Sequence, residues 1–150
     1  MCVLHVSGKT LDPDKELAAS GLTPRRIGRA GEPRLRSKPD GDRLDHSTFS
    51  VDVSEASWSS LVDQVNDAVA FLKTHYDTLK SVRTAPGVED MRLDFPLDLR
   101  IDREKVFAQF DYLPPELISL AGALGLGIEI SIYPKDLEQL ARKRAKKRKR

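Results

Sequence analysis

The chain holds one cysteine, three histidines and one tryptophan in 150 residues, and aromatics make up only 6% of it. The lone thiol, Cys2, excludes an internal disulfide framework and any cysteine-rich zinc site, and it fits a reducing compartment such as a bacterial cytosol. His5, His46 and His75 lie far apart with no H-x-x-x-H spacing, so each reads as a surface or boundary residue. Long hydrophobic runs are also missing. None approaches the ~20 residues that span a bilayer, and the opening Met-Cys-Val-Leu-His-Val lacks the basic and apolar regions of an export signal. The expectation is a cytoplasmic protein with no membrane span.

Catalytic signatures are absent too. There is no Gly-x-Ser-x-Gly elbow, no P-loop and no Gly-x-Gly-x-x-Gly cradle, which leaves hydrolase and nucleotide chemistry without their usual support. Asp40-Gly41-Asp42-Arg43-Leu44-Asp45 imitates the start of a calcium loop. Its glycine stands at the second position, however, and Val51 occupies the twelfth, where a bidentate Glu is needed, so it reads as a polar loop. Arg25 to Gly31 contains the G-x-x-G spacing of a KH clamp, but Pro33 and the polar run after it oppose the second helix that clamp requires. The reading is therefore of a non-enzyme: no catalytic residue, no cofactor and no metal ligand is assigned.

What is present is enough apolar residue, 39%, to form a core, and a chain of this length buries roughly 68–70% of its unfolded surface. Charge is high, at 32%, and unevenly placed. Residues 142–150 contain eight cations, Arg142, Lys143, Arg144, Lys146, Lys147, Arg148, Lys149 and Arg150. Removing these from the 25 basic residues leaves 17 against 23 acids, so residues 1–141 carry −6. A nucleic-acid binder that used its folded surface would carry a basic face. Here any phosphate contact belongs to the tail.

Cys2 to Ser7 reads as a first strand, ending at Gly8. Asp12 as N-cap, Pro13 at N1 and acids in the first turn open a helix that Gly21 stops. Thr23 to Ser47 lacks a sustained apolar period and reads as a long irregular connection, either functional, disordered at its tip near Lys38 to Asp45, or both. Phe49, Val51 and Val53 alternate as a strand. The longest helix follows, capped by Ser57, with Trp58, Leu61, Val62, Val65, Val69 and Leu72 as its apolar stripe; Tyr76, Leu79 and Val82 continue the period, with a break near His75.

Asp90 to Asp102 is the clearest strand. Met91, Leu93, Phe95, Leu97, Leu99 and Ile101 take one face, while Arg92, Asp94, Asp98 and Arg100 take the other, which predicts an antiparallel sheet with one wet face. Pro96 lacks a donor and suggests an edge or a bulge. Val106 to Tyr112 is expected to return as a hairpin partner. Pro114 and Pro115 open a helix closed by Gly125, and Ile128, Ile130 and Ile132 form the last strand. The fold class predicted is α+β, a largely antiparallel sheet with helices packed on one face. Leu61, Val65, Val69 and Leu72 should meet Phe49, Phe95, Leu97 and Ile130 in the core. The strand, Leu-x-Pro turn, short helix and Gly-Leu shared by Val3 to Leu22 and Val106 to Leu126 suggest an internal duplication. One domain spans 1–134, and 135–150 form a short helix running into the basic tail, with Glu138 and Arg142 at i, i+4.

The strand ending at Ser7-Gly8, then Leu11-Asp12-Pro13-Asp14, Gly21-Leu22-Thr23-Pro24, Gly31-Glu32, and the last strand of Gly127 to Tyr133 with Pro134, resemble the bacterial domain-of-unknown-function family 4279 over about residues 3–134. The resemblance implies a small cytosolic domain without a matched functional residue, of a type suspected to serve as immunity or inhibitor partners. Two functional expectations follow. The first is a non-catalytic protein-interaction domain, immunity-like or regulatory, with Arg92, Asp94, Asp98 and Arg100 as partner surface. The second is a nucleic-acid-associated protein whose eight tail cations bind phosphate non-specifically.

Overall fold

The computed structural model of the chain describes residues 1–35, 37–101 and 105–134. The strands are β1 (Val3–Gly8), β2 (Arg26–Gly28), β3 (Ser47–Asp52), β4 (Asp90–Asp98) and β5 (Gly127–Tyr133). The helices are α1 (Pro13–Ser20), α2 (Leu61–Thr74), α3 (Tyr76–Arg83) and α4 (Pro115–Ala123). Local chemistry sets several of these limits. Asp12 Oδ1 accepts from the Lys15 amide at 3.1 Å, opening α1 as a side-chain cap does. Helices α1 and α4 stop at a left-handed glycine, Gly21 at φ 67° and Gly125 at φ 66°.

The five strands lie in the order β2-β3-β1-β4-β5. Three neighbouring pairs are antiparallel and only β4 with β5 is parallel, the pair bridged by α4 as the required crossover. Register puts Leu4 and Val6 beside Val51 and Phe49 on one side and beside Leu93 and Met91 on the other. These side chains share a single core with Leu17, Leu61, Val65, Leu72, Leu79, Leu117 and Ala121 from all four helices. The helices therefore cover one face, and the fold is α+β as the alternation predicts. No helix among the described residues is long and apolar enough to cross a membrane.

Several expectations need correction. The strand expected to run to Asp102 ends at Asp98, leaving Leu99 and Ile101 exposed. Val106 to Tyr112 forms no hairpin strand, because β5 takes the place beside β4. The duplication thus reduces to two helices with the same Pro start and Gly-Leu stop. The longest helix is capped by Ser60, not Ser57, and breaks at His75 into α2 and α3. Trp58 lies before it in the approach loop. Val62 is 70% exposed and Ile130 is 40% exposed, so neither belongs to the core; Val69 is only partly buried against it.

The connection expected to be irregular carries β2 and a two-stranded approach between 31–34 and 42–44. There, Gly31 N donates to Leu44 O, Leu44 N to Glu32 O and Arg34 N to Asp42 O. The stretch resembling a calcium loop is part of this ladder. The tail helix and the cations Arg142 to Arg150 lie outside the described residues.

Pro96 follows the expected logic at one end of β4. Alternate residues of a strand aim their amide and carbonyl to the same side, and Asp98 N donates to Trp58 O on the side where β1 would continue. β1 pairs no further than Val3 with Asp94, so Pro96 faces a gap and its missing donor costs nothing. Its carbonyl is satisfied by Nε2 of the buried Gln64 at 3.0 Å, and the same nitrogen donates to Ser57 O.

Candidate functional site: the open charged face of the sheet

With the described helices on one side, much of the opposite face stays exposed or half-buried, although Val3, Ser50 and Pro96 on it are buried. Strand register lines the residues of this face into rows. Arg26, Ser50, His5, Arg92 and Gly127 run across the sheet in one row, and Asp52, Val3, Asp94 and Glu129 in the next. One row is basic and the next acidic, with Asp94 directly opposite Glu129, so unlike charges meet between the rows, as Arg92 does with Glu129, and not within them.

Arg92 is its centre. Nε donates to Glu129 Oε2 at 2.5 Å and Nη1 pairs with Asp90, so one guanidinium ties β4 to β5 and to its own strand. Glycine at 127 leaves room for the base of that side chain, since a Cβ there would meet Arg92 Cβ at 3.3 Å. Partial burial disfavours the charged form of Arg92, but the hydrogen bonds it donates to Glu129 and Asp90 outweigh this and hold the group protonated above its ordinary range. Asp94 accepts from Ser131 Oγ at 2.7 Å, and its other oxygen lies 3.9 Å from His5 Nε2. Burial pushes the His5 imidazole below its usual range, against the pull of Asp94. His5 is therefore neutral at neutral pH.

This geometry is poor in reaction machinery and rich in fixed charge. Ser131 donates its proton to Asp94, so the serine, carboxylate and imidazole are not arranged as nucleophile, base and orienter. Cys2, fully buried, has its thiol pushed far up by desolvation and is not a nucleophile at neutral pH. No group of three or more His, Cys, Asp or Glu among the described residues is placed to hold a metal ion.

Of the four residues expected to form a partner surface, Arg92 and Asp94 lie together on this face. Asp98 closes the end of β4, opposite Tyr133, whose ring stacks on Trp58 at 4.9 Å. Arg100 has left the sheet altogether and binds Asp111 Oδ1 at 2.5 Å and Phe110 O at 3.2 Å. The alternation holds through Asp98, the last residue of β4, and overran the strand at Arg100. His5, Glu129, Ser131 and Arg26 were missed as members. Only strand order could reveal them, since they come from β1, β5 and β2.

The segment with G-x-x-G spacing is strand β2 and the turn after it, not a clamp between helices. It borders a broad basin of about 1300 Å³ lined by Arg25, Arg26, Arg29 and Arg34. Two of these cations are already engaged: Arg25 with Asp52 at 2.8 Å, and Arg29 with Asp14 at 2.7 Å and Glu32 at 3.4 Å. The charged face remains the better-organised surface. No family model, curated protein or solved structure matches the chain, so the resemblance over residues 3–134 rests on its own residues.

Proposed function

We propose that the chain is a non-catalytic protein-interaction domain, immunity-like or regulatory, that recognises its partner through the open charged face of the sheet. The observation carrying this reading is the ladder centred on Arg92, with Asp90, Asp94 and Glu129 held by hydrogen bonds on paired strands. Side chains fixed in this way lose little further freedom on binding, and a fixed pattern of charge selects partners and speeds encounter more than it adds raw affinity. Nη2 of Arg92 and the outer edges of Asp90 and Glu129 are the groups offered to a partner of complementary charge.

The experiment exchanges the pair as Arg92→Glu with Glu129→Arg, which keeps an ion pair while reversing the pattern. The tagged full chain and the swapped chain are compared in co-purification with nuclease present, with circular dichroism checking the fold. A partner held by the native chain and lost by the folded swap supports the reading. Equal capture by both, or release of every partner by nuclease, refutes it.

The eight cations of residues 142–150 favour a second reading, non-specific phosphate binding through the tail.

A further inference from the structure

The two outer strands of the sheet are protected very differently. β2 is three residues long and carries an exposed arginine, both usual devices against unwanted edge pairing. β5 has seven residues, Gly127–Tyr133, with no lysine, arginine or proline among them. Its free edge can be read atom by atom. Leu99 N donates to Tyr133 O, so the odd residues of β5 turn their amides and carbonyls toward β4. The even residues, Ile128, Ile130 and Ile132, aim theirs outward, where no partner is found among the described residues.

Exposed apolar side chains lie on β5 and on the segments joined to it. Ile130 and Ile132 are 40% and 53% exposed on the helix-side face, and Ile118 is 52% exposed on α4, which packs on β5. The Leu99–Tyr133 hydrogen bond and the grip of Arg100 on Phe110 tie the following segment to the end of the strand. In it, Phe107, Phe110 and Tyr112 are 82%, 88% and 73% exposed, which at ~200 Å² per ring leaves roughly 500 Å² of aromatic surface open. Together with the isoleucines, the apolar area left open on β5 and the segment joined to it is comparable to the ~800 Å² that each partner buries in a standard interface.

We infer that β5 is a self-association edge, pairing antiparallel about a two-fold axis at Ile130 with β5 of a second copy of this chain. That register alone makes every outward group of the strand self-complementary. Ile130 faces its symmetry mate, Ile128 faces the mate's Ile132, and each such pair exchanges two backbone hydrogen bonds. Side chains agree with it. Isoleucines meet isoleucines on the helix side, while on the polar side Glu129 falls opposite the mate's Ser131 and not opposite another carboxylate. A neighbouring register centred on Ile132 would set Pro134 against Ile130 and lose a donor. The pairing goes beyond the proposed partner reading and does not depend on it.

The outward amide of Ile130 supplies a selective variant. Ile130→Pro removes that donor and blocks the edge, yet leaves the β4–β5 ladder intact, because the ladder uses the odd residues. The full chain should sediment as a concentration-dependent dimer, and Ile130→Pro should weaken dimerisation by at least about a hundredfold, with circular dichroism unchanged. Ile130→Lys, which puts a charge into the apolar seam without touching the backbone, should do the same should the proline variant fail to fold. Amide exchange at Ile128, Ile130 and Ile132 should slow as the dimer forms, while Glu129, Ser131 and Tyr133 are slow throughout. A full chain that stays monomeric at high micromolar concentration overturns the inference. So does a dimer that survives both variants, or a monomer with the three even amides already slow, which would place this chain's own residues after Pro134 on the edge.

Discussion

Replacing Gly8 by alanine should be among the most damaging single-methyl changes in this protein. Gly8 closes β1 opposite Ser47, and a Cβ built on it would lie 1.7 Å from the carbonyl oxygen of Gly87 and 2.9 Å from its carbon. Both are backbone atoms, so no side chain can rotate aside. The turn between α3 and β4 would have to retreat, and it is held to β1 by Glu89 N donating to Ser7 O at 3.0 Å and by Lys9 N donating to the Glu89 carboxylate at 3.2 Å. Overpacking of this kind costs about 1–3 kcal/mol, and a lost backbone hydrogen bond about 1 more. A loss of about 3 kcal/mol would remove a large share of the 5–15 kcal/mol typical of a domain. With an m-value of about 2 kcal/mol/M, the urea midpoint should fall by about 1.5 M with m unchanged. Gly122 is the matched control. It sits within α4 with nothing within 4 Å of a built Cβ, so Gly122→Ala should be neutral or stabilising by about 0.5–1 kcal/mol. A Gly8→Ala midpoint within about 0.2 M of the parent would refute the steric reasoning.

Truncating Leu97, 2% exposed beneath α2, should cost about 2–5 kcal/mol in the same denaturation assay, and a value under about 0.5 would contradict the helix-on-sheet packing. Acid titration of stability should report His5. Because burial lowers its folded-state pKa, the unfolded chain binds more protons as pH falls below the unfolded value of about 6.5, so stability decreases there and is regained above it. His5→Gln should flatten that slope, and an unchanged slope would mean another group dominates. For the tail, DNA affinity measured against salt should fall with a log–log slope near −7 if all eight cations meet phosphates, at about −0.9 per contact. Negligible binding by the full chain at low salt would remove the phosphate reading.

Elements whose signals are local were legible from the residues. Asp12-Pro13, Gly21 and Gly125 act within one helical turn, so the limits of α1 and α4 follow from them. The alternation of Met91 to Leu97 reports a half-buried strand because successive side chains point to opposite faces. Placement beside another strand has no such local signature. Val106 to Tyr112 and Gly127 to Tyr133 both carry β-forming residues, and only the assembled sheet shows that the second lies against β4, parallel, after the α4 crossover. The same selection decided the charged face. Arg92 and Asp94 were visible on their own strand, while His5, Glu129, Ser131 and Arg26 join them from positions remote in the chain. Periodicity specifies which way a residue points within its element; which residues then meet depends on strand order, and strand order is settled by burying all four helices and five strands against one core.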